Sequence, residues 1–260
     1  MLLRRLHPRL RIGNSPSRRP IFFCHIPKTA GTTLRKALEA RFPASEIVPN
    51  HEEILANSGV YPSTQNVFKG MIDRRKYVNL VLGHYHYSFH KILGDPIKIV
   101  VLREPIARSI SLLKHMITYG GVPREHILMF LNRGKFPAPD NEMTRYLVGT
   151  LDVSSSDTLD QQHHRLMTRP LEDRNAIIAE AEAVLESVDI LGVMERFEQL
   201  QRPLAALGVA LPDERHNRAL IEDLELTDRQ LETIKAHNMI DSEVYRHASR
   251  IVEAREAGGT

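Results

Sequence analysis

The feature that most constrains this chain is the stretch Ile21-Phe22-Phe23-Cys24-His25-Ile26-Pro27-Lys28-Thr29-Ala30-Gly31-Thr32-Thr33-Leu34. An apolar, strand-like run gives way to a short loop holding one lysine, one glycine and three threonines, and a helix-forming run follows from Leu34 to Arg41. A strand, a tight loop and a helix N-terminus in that order make an anion cradle. Backbone N–H groups point at the ligand, and the helix dipole favours negative charge. Pro27, Lys28, Thr29, Ala30, Gly31, Thr32 and Thr33 are therefore candidate residues for holding a phosphate or sulfate group.

Further apolar, β-branched runs read as buried parallel strands: Ile21 to Ile26, Asn79 to Gly83, Ile97 to Leu102 and Val188 to Val193. Helical patterns lie between and after them, over Thr33 to Arg41, Ile106 to Thr118, Leu171 to Ser187 and Glu195 to Leu207. This alternation implies an α/β fold with a central, mostly parallel sheet flanked by helices. Gly120 to Asp140, with three prolines and three glycines, reads as irregular, and Val153 to Thr158 as a polar loop. Thr227 and Gln230 form a capping box that starts a helix, and the end of the chain reads as helical to about Ala254. Residues 20–255 are expected to form one domain with a helical C-terminal part, and residues 1–19 a disordered basic tail.

The charge is locally uneven. Net charge is only +3, yet Arg4, Arg5, Arg9, Arg11, Arg18, Arg19, Lys28, Arg35 and Lys36 all precede the first acidic residue, Glu39. Such a balance suits anionic substrates without requiring nucleic acid. The single cysteine, Cys24, excludes an intramolecular disulfide and any cysteine-based metal site, and reads as a buried structural thiol in a reducing compartment. No run of about 18 apolar residues exists to span a membrane. The basic N-terminal segment lacks the apolar core of a signal peptide, so a cytoplasmic location is expected.

A second anion motif lies where Lys98-Ile99-Val100-Val101-Leu102 runs into Arg103-Glu104-Pro105-Ile106-Ala107-Arg108-Ser109-Ile110-Ser111. Pro105 suits the first turn of a helix, which leaves Arg103 at the carboxyl end of a strand, where open parallel sheets bind ligands. Arg108, Ser111 and His115 follow at spacings of three and four, on one expected helical face. A guanidinium and a serine hydroxyl there suit a phosphate. Two anion sites at the ends of two strands imply a ligand with two separated anionic groups.

The pair of motifs resembles the nucleotide-binding signature of the Golgi-type carbohydrate sulfotransferases, the broad family that includes heparan sulfate 2-O-sulfotransferase. The resemblance extends more weakly over Asn141 to Gly149, Val188 to Phe197 and Asn238 to Tyr245. It implies a P-loop-like three-layer fold and 3′-phosphoadenosine-5′-phosphosulfate (PAPS) as sulfuryl donor, with adenosine 3′,5′-bisphosphate (PAP) as product. The segment His25 to Thr33 would hold the 5′-phosphosulfate, and Arg103 and Ser111 the 3′-phosphate. Glu104 stands where the family more often has aspartate. The competing Walker pattern needs glycine at Ile26 and lysine at Thr32, and no acidic residue closes a strand to hold Mg²⁺.

Sulfuryl transfer to a hydroxyl needs a base for the acceptor's proton and a cation for the departing phosphate, and no metal. Lys28, in the cradle, is the expected cation. The segment Leu82-Gly83-His84-Tyr85-His86-Tyr87-Ser88-Phe89-His90 offers three histidines. The resemblance places the base after a glycine, hence His84, with His86 second. His84 and His86 lack a third local ligand for a metal, and His163-His164 reads as a solvated face or groove lining. The resemblance points to a saccharide hydroxyl as acceptor. Arg74, Arg75, Lys76, Lys91 and Arg145 read either as ordinary surface charges or as lining for its groove, and Tyr85, Tyr87 and Phe89 either as core packing or as surfaces that stack on a sugar. The missing anchor and disulfides set this chain apart from Golgi enzymes and point to a soluble one.

Overall fold

The computed structural model describes residues 19–74, 77–212 and 224–258. In chain order the elements are β1 (Ile21–Cys24), α1 (Gly31–Glu39), β2 (Ile47–Val48), α2 (His51–Ala56), α3 (Thr64–Asp73), β3 (Leu80–Gly83), β4 (Ile97–Leu102) and α4 (Pro105–Thr118). Then come α5 (Arg124–Asn132), α6 (Glu142–Leu147), α7 (Leu159–Thr168), α8 (Arg174–Glu186), β5 (Ile190–Val193), α9 (Gln201–Ala206), α10 (Asp228–Ala236) and α11 (Met239–Ala257). Single 3₁₀ segments cover Ala44–Glu46, Tyr87–Leu93 and Met194–Leu200.

The five strands form one all-parallel sheet in the order β2-β3-β1-β4-β5. Its core follows from the two-residue period of a strand. Phe22, Cys24, Val81, Val100, Leu102, Leu191 and Val193 face one side, where α3, α6, α8 and α11 cover them. Ile21, Phe23, Leu80, Leu82, Ile99, Val101 and Ile190 face the other, covered by Leu34, Ala37 and Leu38 of α1 and Leu204 of α9. Both faces are dry, which is why the strands read as continuous apolar runs rather than alternating ones.

Several expectations are corrected. β2 pairs only Ile47 and Val48 with β3, too short a run to stand out in the sequence. β1 ends at Cys24 rather than Ile26, although the His25 N–H still donates to the Gly83 carbonyl. The stretch from Gly120 to Asp140 is not wholly irregular: Pro123 precedes α5, and Gly134, at a φ of 70°, follows it. α7 begins at a Thr158–Gln161 capping box, and α8 begins at Arg174, with the Asp173 carboxylate accepting from the Ala176 N–H. The helix expected over Glu195 to Leu207 is a 3₁₀ segment broken at Arg196 and followed by α9. Arg19, assigned to the tail, instead ties the start of β1 to Asp95 and Asp189, and the rest of that tail lies outside the described residues. Among the described residues, no helix is long and apolar enough to cross a membrane.

Candidate active site

Four strands deliver four residues to one edge of the sheet. His25 follows β1, His84 follows β3, Arg103 follows β4 and Met194 follows β5, and all four line one cavity of about 400 Å³. Strand order reverses beside β1, where the chain crosses from β3 to β4. Crevices outside the carboxyl ends of strands at such a switch are the ligand sites of open α/β sheets.

The loop after β1 is held in an unusual shape. Lys28 and Ala30 both adopt left-handed backbone conformations, with φ of 69° and 65°. Such conformations are costly for residues with a Cβ and persist where surrounding contacts enforce them. The Thr29 hydroxyl donates to the Ile26 carbonyl at 2.9 Å, and Arg103 Nη1 donates to the Lys28 carbonyl at 3.2 Å. Ala30, the N-cap of α1, has no side-chain acceptor to offer the first N–H groups of the helix, which suits them to an anion. Pro27, Lys28, Ala30, Gly31, Thr32 and Thr33 line the cavity. The Thr29 side chain is buried and serves the loop itself, so only its backbone can contribute as predicted.

Gly31 is required by a close approach rather than by its backbone angles. A Cβ there would lie 1.8 Å from Nε2 of His25. The His25 ring is in turn stacked on Phe23, with centroids 5.4 Å apart and planes 10° apart. Arg103 and Ser111 line the same cavity, with Leu112, His115 and Phe197. Glu104 caps α4, its carboxylate accepting from the N–H groups of Ile106 at 3.1 Å and Ala107 at 2.6 Å. Burial, followed by the charge of Arg103, depresses Lys28, and burial depresses His115. Two half-buried cations facing one space favour an anion between them.

His84, half-buried, also lines the cavity, and its Nδ1 lies 2.6 Å from the His25 carbonyl oxygen. A carbonyl only accepts, so Nδ1 carries the proton and Nε2 of the neutral ring presents a lone pair. Burial holds the imidazole down at about 4, against the opposing effect of that hydrogen bond, so it is neutral at pH 7. The ring packs 4.5 Å from His25 and 4.8 Å from Tyr61.

His86, the second choice for a base, is corrected. It is fully buried, Nε2 donates to the Val148 carbonyl at 2.9 Å, and Nδ1 accepts from Ser88 Oγ at 2.8 Å. Both nitrogens are committed to structure. Burial pushes His86 down to about 3. Arg108 does not share the cavity face with Ser111: it is fully buried and donates from Nη1 to Glu142 at 2.8 Å. Asp241 beside this pair accepts from the N–H groups of Met143 and Thr144, joining α11 to α6.

The expected acceptor groove also changes. Arg74 is bound to Glu53 and to the Ile47 carbonyl, and Arg145 to Asp140 and the Arg169 carbonyl. Lys91 donates to the Thr150 hydroxyl, while Arg75 and Lys76 lie outside the described residues. Tyr85, Tyr87 and Phe89 are core residues. Cys24 is buried as expected, its thiol donating to the Tyr85 carbonyl, and burial pushes it up. His163, on α7, sits edge-on to Tyr146 at 5.9 Å and is half-buried, whereas His164 is exposed. Among the described residues, no group of three or more His, Cys, Asp or Glu side chains is placed to hold a metal ion.

Sequence reasoning did not single out His25 and Tyr61. His25 had a legible signal, its place between a strand and the cradle. Tyr61 had none, because a loop of no particular motif carries it to Nδ1 of His25, 3.2 Å from its hydroxyl.

Neutral buried imidazoles have a consequence for stability. His84 and His86 have folded-state values below the ordinary 6.5, so the unfolded chain binds protons that the folded chain refuses. Their contribution is complete above the unfolded value and is lost as pH falls through 6.5 toward 4 and 3. The urea midpoint is expected to fall steeply between pH 6.5 and 4.5; a flat profile would contradict the burial of these rings.

No protein-family model matches the chain, and no curated protein matches it. Among solved structures it is similar to a crystal structure of a sulfotransferase from Alicyclobacillus acidocaldarius. Identity is 14%, covering 91% of this chain and 96% of that one, with a TM-score of 0.42. At that level neither activity nor residue roles carry over from one protein to the other.

Proposed function

We propose that this chain is a PAPS-dependent sulfotransferase that moves a sulfuryl group to a hydroxyl of a carbohydrate or glycoconjugate. The observation that carries this reading is the placement of a neutral histidine, with its lone pair on Nε2, on the wall of the cavity that also holds Lys28, Arg103 and Ser111. A donor with two separated anionic groups fits that set. The uncapped N-terminus of α1 and Lys28 suit the 5′-phosphosulfate, and Arg103 with Ser111 suits the 3′-phosphate.

PAPS, when bound, supplies a sulfuryl group on a phosphate leaving group. His84 takes the proton of the acceptor hydroxyl at Nε2, and its Nδ1–H stays on the His25 carbonyl, which holds the ring in the productive tautomer. Lys28 and the first N–H groups of α1 offset the charge that grows on the departing phosphate oxygen. Arg103 also holds the Lys28 carbonyl, so the two anion subsites are linked through one side chain. A cytoplasmic setting belongs to the same proposal.

Incubation with sulfur-labelled PAPS and a panel of saccharides and glycolipids tests it. Label is expected on a hydroxyl-bearing acceptor with the wild-type chain and not with Lys28→Ala. Magnesium-dependent ATP turnover, with no use of PAPS, would overturn it.

A further inference from the structure

We propose that His25 is a positioning residue whose ring locks the base His84 and the first turn of α1 into one unit, so that occupation of the anion cradle is felt at the base. The proposal rests on the reading of His84 as base. The backbone of residue 25 is clamped on both sides by the β3 end: its N–H donates to the Gly83 carbonyl at 2.9 Å, and its carbonyl receives Nδ1–H of His84 at 2.6 Å. The carbonyl that selects the tautomer of His84 is therefore only as well placed as residue 25 itself.

The side chain of that residue is fixed from three directions. Phe23 stacks flat beneath the ring. The Tyr61 hydroxyl meets Nδ1 at 3.2 Å. On the third side the ring occupies the space beside Gly31 Cα, so that a Cβ there would lie 1.8 Å from Nε2 and 1.9 Å from Cδ2. Gly31 is the first residue of α1, and Gly31, Thr32 and Thr33 line the cavity. A displacement of that turn by an anion thus meets the His25 ring first, and the ring carries it to the backbone that holds His84. Burial, followed by the neighbouring charges of Arg35 and Lys28, holds the His25 imidazole well below its usual range.

Nitrogen-15 labelling of histidine in the full chain tests this, with two-bond proton–nitrogen correlation spectra and the His84 signals assigned by their loss in His84→Gln. In the wild type, His84 is expected as the Nδ1–H tautomer, and adenosine 3′,5′-bisphosphate is expected to shift its ring signals. In His25→Ala, the His84 signals are expected to average between the two tautomers and to lose their response, while bisphosphate still binds within about tenfold of wild type. His25→Asn, which returns a polar atom near the Nδ1 position, is expected to restore part of the response. An unchanged tautomer and an unchanged response in His25→Ala would overturn the proposal, as would a wild-type His84 that ignores bound bisphosphate. Should His25→Ala fail to fold by circular dichroism, Tyr61→Phe, which removes only the hydroxyl, carries the same comparison. Absence of bisphosphate binding to the wild type would reject the donor reading instead, and the tautomer comparison would still decide the role of His25.

Discussion

His84→Ala is expected to bind adenosine 3′,5′-bisphosphate within a few-fold of wild type and to transfer sulfuryl groups at least about 10²-fold more slowly, the usual scale for loss of a general base. The split between binding and turnover follows from geometry. His84 stands at the β3 end, held by the His25 carbonyl, whereas the expected phosphate contacts come from the loop after β1, from Arg103 and from α4. The pH dependence is equally specific. A ring held at about 4 is already neutral at pH 6, so the rate assigned to His84 is expected to stay level between pH 8 and 6. A histidine of ordinary pKa would lose about half of its base form near pH 6.5. Unimpaired turnover by His84→Ala would remove the assignment.

Gly31→Ala is expected to damage the cradle as severely. The added methyl would meet His25 Nε2 at 1.8 Å, Cδ2 at 1.9 Å and Cε1 at 2.6 Å, all impossible separations. The ring could retreat only by breaking its stack on Phe23. Either α1 moves outward or His25 is expelled. The expected outcome is a loss of about 1–3 kcal/mol in stability, typical of overpacking, and bisphosphate affinity weakened by at least about tenfold. Gly94→Ala makes the comparison. That glycine has a φ of 83°, and a methyl added there would have no neighbour within 4 Å, so only backbone strain of about 1–3 kcal/mol is expected, with binding untouched. Denaturant titration and calorimetry of the two variants separate a specific wedge from a general intolerance.

Much of the layout was legible because it rests on local pattern. Apolar runs such as Ile99 to Leu102 are buried on both faces, and a run of that kind announces a central parallel strand without help from the rest of the chain. The cradle was legible for the same reason, since its strand, loop and helix are contiguous. What escaped was tertiary. Ile47 and Val48 become a strand only because β3 offers an edge. Arg108 stands at the spacing that suggested a shared face with Ser111, yet Glu142, 34 residues onward, draws it into the core. His84 and His86 are two residues apart and chemically alike. Only the partners supplied by Ser88 and Val148 distinguish a ring with both nitrogens bonded from His84, which lines the cavity. The basic residues were not separable by sequence, because a groove-lining arginine has the same appearance there as one such as Arg145, which is held by Asp140 and the Arg169 carbonyl.

Calorimetric titration with adenosine 3′,5′-bisphosphate, run beside ATP with Mg²⁺, tests the two-subsite donor site most directly. Two linked anion subsites require micromolar binding of the bisphosphate, much weaker binding of ATP, and loss of the bisphosphate signal in Arg103→Ala. Preference for magnesium ATP, or binding of neither ligand, would contradict them.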